Sequence, residues 1–209
     1  MIGGCRTLFC FALVLVGTGV WWGFNRSPPV RNAPPPVGPI VALGDSLTFG
    51  IGAGARQGYV DRLQVLLRRP IINSGVPADT IADGARRVEA DVLAHRPTIV
   101  IVLLGGNDLI QHLELDRSFK TLADVIRRIQ DRGAMVVLVG LQGLSPIGVV
   151  GARYKRLARE TESLYVPDIL DGILGRQDFM ADQIHPNADG YRIMADQIEK
   201  VLAPYVEGW

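Results

Sequence analysis

The chain has 209 residues, 48% of them hydrophobic and 21% charged, with 22 basic against 21 acidic side chains and a formal net charge of +1. That length supports one domain with a full core, and the balanced charge supplies no field for nucleic acid, which is excluded as a default partner. The only two cysteines, Cys5 and Cys10, lie in or beside an N-terminal apolar run, so disulfides, thiolate metal sites and a cysteine nucleophile are excluded from the folded part.

Residues 7–24 are 18 uncharged positions, preceded by Arg6 and followed by Arg26, with Trp21 and Trp22 near one end. As a helix this run would be about 27 Å long, close to the ~30 Å of a bilayer core, with the tryptophans at interfacial depth. Residues 1–26 therefore read as a membrane anchor or a signal peptide. A retained anchor is favoured because no Ala-x-Ala cleavage pattern is present, and the expected location is the extracytoplasmic face of a cell envelope. Six of the thirteen residues in 27–39 are proline, which marks a linker. Extended as polyproline, it would reach ~40 Å. The domain is expected to span 40–209.

From residue 40 on, strand and helix signals alternate. Ile40 to Leu43 form a short buried strand stopped by Gly44. Residues 59–69 carry Val60, Leu63, Leu66 and Leu67 at helical spacing, and 70–73 form a second strand ending at Ser74-Gly75. Residues 80–95 place Ile81, Ala85, Val88 and Val92 on one helical face, with Thr80 as N-cap. Residues 98–104 are a continuous run of apolar and β-branched residues after Thr98, as in a central parallel strand buried on both faces. Phe119, Leu122, Ile126 and Ile129 mark a third helix and 134–139 a fourth strand. Residues 151–162 are expected as helix, 164–166 as a fifth strand and 188–202 as the closing helix. This alternation predicts an α/β fold: a parallel sheet with helices on both faces and ligands at the carboxyl ends of the strands.

The chemistry-bearing residues follow the strands: Ser46 after the first, Gly75 after the second, Asn107 after the third, and Asp182 with His185 after the last. A serine hydroxyl needs a base to attack at neutral pH; His185 can be that base, and Asp182 can hold its tautomer. The oxygen charge that develops on an attacked carbonyl needs donors already in place. The backbone N–H groups of Ser46 and Gly75 and the side-chain amide of Asn107 could supply three.

Four short blocks stand in order as Gly44-Asp45-Ser46-Leu47, Asn73-Ser74-Gly75, Gly105-Gly106-Asn107-Asp108 and Asp182-Gln183-Ile184-His185-Pro186. This pattern resembles the GDSL or SGNH hydrolases over about 170 residues, from Ile40 to the C-terminus. The resemblance implies a flavodoxin-like three-layer α/β/α sandwich around a five-stranded parallel sheet. It also implies cleavage of carboxylic esters or thioesters through an acyl-enzyme, without a cofactor. The nearest look is to the bacterial exported thioesterase, lysophospholipase and arylesterase group, so the expected partner is a small or lipid-like acyl ester. Two departures stand out: 109–112 lacks the arginine often found there, and 140–154 is glycine-rich.

Two other functions fit the same residues: O-deacetylation of an envelope polysaccharide, which calls for an open polar pocket, and a non-catalytic binding domain on a membrane stalk. Asp45 and Asp108 read as loop-orienting carboxylates, His95 as a helix-end residue and His112 as a surface residue. Three scattered histidines form no metal set. The Gly50-Ile51-Gly52-Ala53-Gly54-Ala55 run lies six residues beyond a strand, too far for a dinucleotide turn, and no Gly-x-Ser-x-Gly elbow occurs.

Overall fold

The computed structural model describes residues 29–143 and 148–207. Its centre is one sheet of β1 (Ile40–Gly44), β2 (Ile71–Gly75), β3 (Ile99–Leu103), β4 (Met135–Val139) and β5 (Leu164–Val166), in the order β2-β1-β3-β4-β5 and parallel throughout. That order is the flavodoxin-like doubly wound one, whose reversal of winding beside the first strand opens a crevice at the carboxyl ends. Gly44 stands in register with Gly75 and with Leu103, so the first three strands end at one edge. Every residue of β1, β3 and β4 is buried. Strands buried on both faces must be apolar throughout, which is why these segments show no alternation.

The helices are α1 (Ser46–Phe49), α2 (Tyr59–Leu67), α3 (Ile81–Asp91), α4 (Gly106–Ile110), α5 (Leu115–Asp131), α6 (Val149–Glu160) and α7 (Ala188–Val206). Short 3₁₀ turns occupy Leu93–His95 and Gln177–Phe179. α2 packs on α7 and α3 on α5, which gives the two helical layers of the sandwich. Thr80 caps α3 in a capping box: its Oγ1 accepts from the Asp83 N–H at 3.3 Å, and Asp83 Oδ2 accepts from the Thr80 N–H at 2.9 Å. Thr80 to His95, expected as one helix, is thus α3 followed by a 3₁₀ turn, because the chain tightens at Val92.

Two N-terminal expectations change. Among the described residues no helix is long and apolar enough to cross a membrane, so a membrane partner through the N-terminal segment and a membrane-anchored location are not supported. The longest helix among the described residues, α7, has 19 residues and carries Asp189, Arg192, Asp196, Glu199 and Lys200, too many charges for a hydrocarbon core. The 7–24 run on which the anchor rested lies outside the described residues. The proline-rich segment also does not stand clear of the domain. Asn32 Nδ2 donates to the carbonyls of Gln130 and Ala134 at 2.8 and 2.9 Å, and the Arg31 N–H donates to the Glu162 carbonyl at 2.8 Å. Asn32 thus bridges the end of α5 and the start of β4, and Arg31 holds the turn between α6 and β5.

Candidate active site

β1 stops at Gly44 and the chain turns at once into α1, which places Ser46 on the first turn of a helix at the strand's carboxyl end. Asp45 is the cap of that helix, its Oδ1 accepting from the Leu47 N–H at 3.0 Å. The Ser46 N–H makes no hydrogen bond among the described residues. The turn is braced from below and behind. Thr48 Oγ1 lies 2.9 Å from the Tyr59 hydroxyl, Asn73 Nδ2 donates to the Thr48 carbonyl at 2.8 Å, and the Tyr191 hydroxyl donates to the Ile51 carbonyl at 2.7 Å.

His185 and Asp182 come from the loop before α7, closed by a Met180–Pro186 bridge and by an Ala181 N–H to His185 carbonyl bond of 2.8 Å. Asp182 Oδ1 accepts from the N–H groups of Ile184 and His185, each at 2.7 Å, and Oδ2 lies 2.8 Å from His185 Nδ1. The backbone N–H of His185 foremost, then its ring and the Ile184 N–H, hold the Asp182 carboxyl down at about 2. An ionised carboxylate can only accept, so the neutral ring carries its proton on Nδ1 and presents Nε2 as an acceptor. Nε2 lies 3.1 Å from Ser46 Oγ, across 139 positions of chain.

The facing wall is built from buried groups. Asn107, on α4 beyond β3, donates from Nδ2 to the Asp79 carbonyl at 2.9 Å; its 3.5 Å separation from Asp45 Oδ2 is too long to occupy the second N–H. Gly105 enters α4 at φ +119°, where a Cβ would also meet the Tyr154 hydroxyl. Asp108, 1% exposed, accepts from the Ile81 N–H at 2.8 Å and from Ser118 Oγ at 2.6 Å, so it holds α4 to α3 and α5. Asp45, 2% exposed, has its carboxyl pushed up to about 6 by burial, against the pull of the Leu47 N–H and of His185.

Ser46, Asn107, Asp182 and His185 therefore come together, whereas Gly75 does not join them. Its N–H donates to Asn73 Oδ1 at 2.9 Å, and its missing side chain makes room for the backbone of α1: a Cβ there would stand 2.6 Å from the Thr48 carbonyl carbon. The free N–H on that loop belongs to Ala78, which lines the cleft, makes no hydrogen bond through its N–H among the described residues, and sits at φ +68°. An alanine in the left-handed region carries no sequence signal, and the glycine three positions earlier drew the expectation instead. His95 and His112 are both exposed and neither lines the cleft.

The cleft above Ser46 measures about 400 Å³. Beyond the polar groups already named, its walls are apolar: Leu47, Ile51, Pro77, Ile110, Leu170 and Ile184.

Residues 42–193 match the GDSL-like Lipase/Acylhydrolase family. The chain belongs to this family. Its reaction is accordingly that of a serine hydrolase acting on carboxylic ester bonds. The chain is 28% identical over 176 residues to Esterase TesA of Pseudomonas aeruginosa, covering 79% of this chain and 88% of that one. It is 27% identical over 177 residues to Thioesterase 1/protease 1/lysophospholipase L1 of Escherichia coli K12, covering 80% and 84%. The crystal structure of TesA superposes with a TM-score of 0.75 at 28% identity, over 79% of this chain and 98% of TesA.

Proposed function

We propose that this esterase uses Ser46 as nucleophile, His185 as general base and acid, and Asp182 to orient the imidazole, on esters or thioesters with an apolar acyl group. The observation that carries the reading is the unbroken hydrogen-bonded relay from Asp182 through His185 to Ser46 Oγ, at 2.8 and 3.1 Å, opening into an apolar cleft. The catalytic domain is assigned to residues 40–209, with Arg31 and Asn32 hydrogen-bonded to it from the preceding segment.

The Ser46 oxygen attacks the acyl carbon while its proton passes to His185 Nε2. The carbonyl π pair moves onto oxygen, and that charge is met by the N–H groups of Ser46 and Ala78 and by the second N–H of Asn107. Collapse expels the alcohol or thiol, which leaves with the proton from His185. Water, deprotonated by the same ring, then adds to the acyl carbon, and Ser46 departs with that proton. Asp182 stays ionised throughout and stabilises the imidazolium. The apolar walls favour an alkyl or aryl acyl group over the acetyl groups of a polysaccharide, whose polar sugar would need partners that these walls lack. A binding domain would have no use for the relay.

Turnover of a p-nitrophenyl ester series from acetate to palmitate, with fluorophosphonate labelling of wild type and Ser46→Ala, tests this. Labelling and turnover are expected to vanish together in Ser46→Ala while the fold persists, and rates are expected to rise from acetate to longer acyl chains. Labelling that persists in the variant would remove Ser46 from the role.

A further inference from the structure

The three proposed oxyanion donors belong to three separate stretches of chain, and one side chain touches two of them and is linked to the third through Asp79. Arg87, on α3, donates from Nη2 to the main-chain carbonyl of Gly44 at 2.9 Å, two residues before Ser46. Its Nε donates to Asp79 Oδ2 at 2.6 Å, and Asp79 directly follows Ala78. The main-chain carbonyl of the same Asp79 accepts from Asn107 Nδ2 at 2.9 Å. A longer contact of 3.3 Å from Nη1 to Asp91 Oδ2 ties the guanidinium back to its own helix. The Gly44 carbonyl is taken up twice, since it also accepts from the Val76 N–H at 3.0 Å. The strand end before Ser46 and the loop bearing Ala78 are thus pinned to one another at the point where Arg87 enters.

The side chains of Arg87 and Asp79 are only 16% and 11% exposed, so solvent screens this pair weakly. A planar fork can hold a carbonyl and a carboxylate at fixed separation and angle, which a lysine ammonium, a single point on a flexible stem, cannot. Arg128 on α5 offers the contrast. It also reaches α3, through the Ala85 carbonyl and Glu89, but at the exposed surface and with no contact to the site.

We infer that Arg87 is a positioning residue for ester hydrolysis, whose guanidinium sets the spacing of the Ser46, Ala78 and Asn107 donors through Gly44 and Asp79; this rests on the oxyanion assignment proposed above. Donors act only within about 2.7–3.1 Å of the developing oxyanion, and a displacement of about 1 Å can cost ~10²-fold. Because that charge is full only in the tetrahedral state, a shift of the donors lowers kcat and spares KM.

The test compares wild type, Arg87→Lys, Asp79→Asn and, as control, Arg128→Lys. Melting temperature, kcat and KM for a p-nitrophenyl ester, and inhibition by an alkyl boronic acid, which forms a tetrahedral anionic adduct on Ser46, are measured well below each Tm. Arg87→Lys is expected to lose roughly 10- to 10²-fold in kcat, to bind the boronic acid more weakly by a similar factor, and to keep its KM within a few-fold. Asp79→Asn should move the same two readouts in the same direction, and the double variant should fall no further than the worse single one, since both break one link. Arg128→Lys should match wild type. If Arg87→Lys fails to fold, Asp79→Asn decides, because it leaves both the Arg87–Gly44 bond and the Asp79 carbonyl in place. Variants that melt earlier yet keep wild-type kcat and boronic acid affinity would reduce Arg87 to a brace of the fold. A wild-type enzyme that hydrolyses the ester but ignores the boronic acid would instead overturn the oxyanion reading on which the inference stands.

Discussion

The two walls of the cleft are built in opposite ways. The nucleophile and Asn107 stand just beyond the ends of the buried strands β1 and β3, backed by carboxylates with almost no exposure, Asp45 at 2% and Asp108 at 1%, and Ala78 joins them from the loop after β2. The acid–base wall is an exposed turn before α7, where the Asp182 side chain is 53% exposed and is organised by its own neighbours, the Ile184 and His185 N–H groups. The same residue type titrates in opposite directions as a result. Burial lifts Asp45 to about 6, and local donors hold Asp182 near 2. Donors that must meet a charge within a few tenths of an ångström need a rigid foundation, whereas a base that hands a proton back and forth needs the right tautomer and reach.

Removing one polar group from each wall should show that difference most strongly. Asp182→Asn puts a donor where the ring needs an acceptor, and the loss in kcat is expected at about 10⁴-fold, with little change in melting temperature because the turn is exposed. Asn107→Ala is expected to lose about 10²- to 10³-fold in kcat with KM little changed. It should also melt earlier, since the Asp79 carbonyl loses its partner in a part-buried position. Paired kinetics and thermal melts check both. Equal melting losses in the two variants would erase the distinction between the walls.

The strong parts of the fold were legible because they obey simple periods. The continuous apolar runs of β1, β3 and β4 and the Thr80 cap follow from burial on two faces and from an unsatisfied helix end. Ser46, Asn107, Asp182 and His185 were legible as motifs. The four- and five-residue helices α1 and α4 were not, because a single turn has too few positions to show a period. Gly75 drew attention as a glycine after a strand, yet its need is steric, against the backbone of Thr48 and Phe49. The Arg87–Asp79 pair, eight positions apart and between a helix and a loop, has no local spacing rule to reveal it. Nor does the grip of Asn32 on carbonyls about 100 positions away.

The buried wall can be probed through pH as well. The Asp45 carboxyl titrates near 6 in the folded chain against an ordinary 3.8, so between those values the native state holds the extra proton. Stability from this group is present at and below pH 3.8, declines as pH rises, and is gone above about 6. Asp182 acts the other way: its contribution is present above pH 3.8 and is lost as pH falls through about 2. Unfolding free energies from denaturant titrations between pH 4 and 7 should therefore fall in wild type relative to Asp45→Asn, by up to about 3 kcal/mol across the window. Parallel curves for the two proteins would mean that burial leaves Asp45 unstrained.

The smallest expected effect comes from relieving the strain at Ala78, with Gly75 as its contrast. Ala78 holds φ +68° in an exposed loop, a conformation that costs an alanine about 1–2 kcal/mol and a glycine almost nothing. Glycine gives part of this back, since its unfolded chain is freer by about 0.4–1 kcal/mol. Ala78→Gly should therefore be stabilised by about 1 kcal/mol or less, and because the N–H itself is untouched, kcat should stay within a few-fold of wild type. Gly75→Ala should behave in the opposite sense. Its new methyl would meet the backbone of Thr48 and Phe49, which cannot give way without moving α1 and Ser46 with it, so melting temperature and kcat fall together. A Gly75→Ala enzyme with wild-type stability and rate, beside an Ala78→Gly enzyme that loses rate without losing stability, would show that the strain at Ala78 itself aims its N–H and that Gly75 is steric in name only.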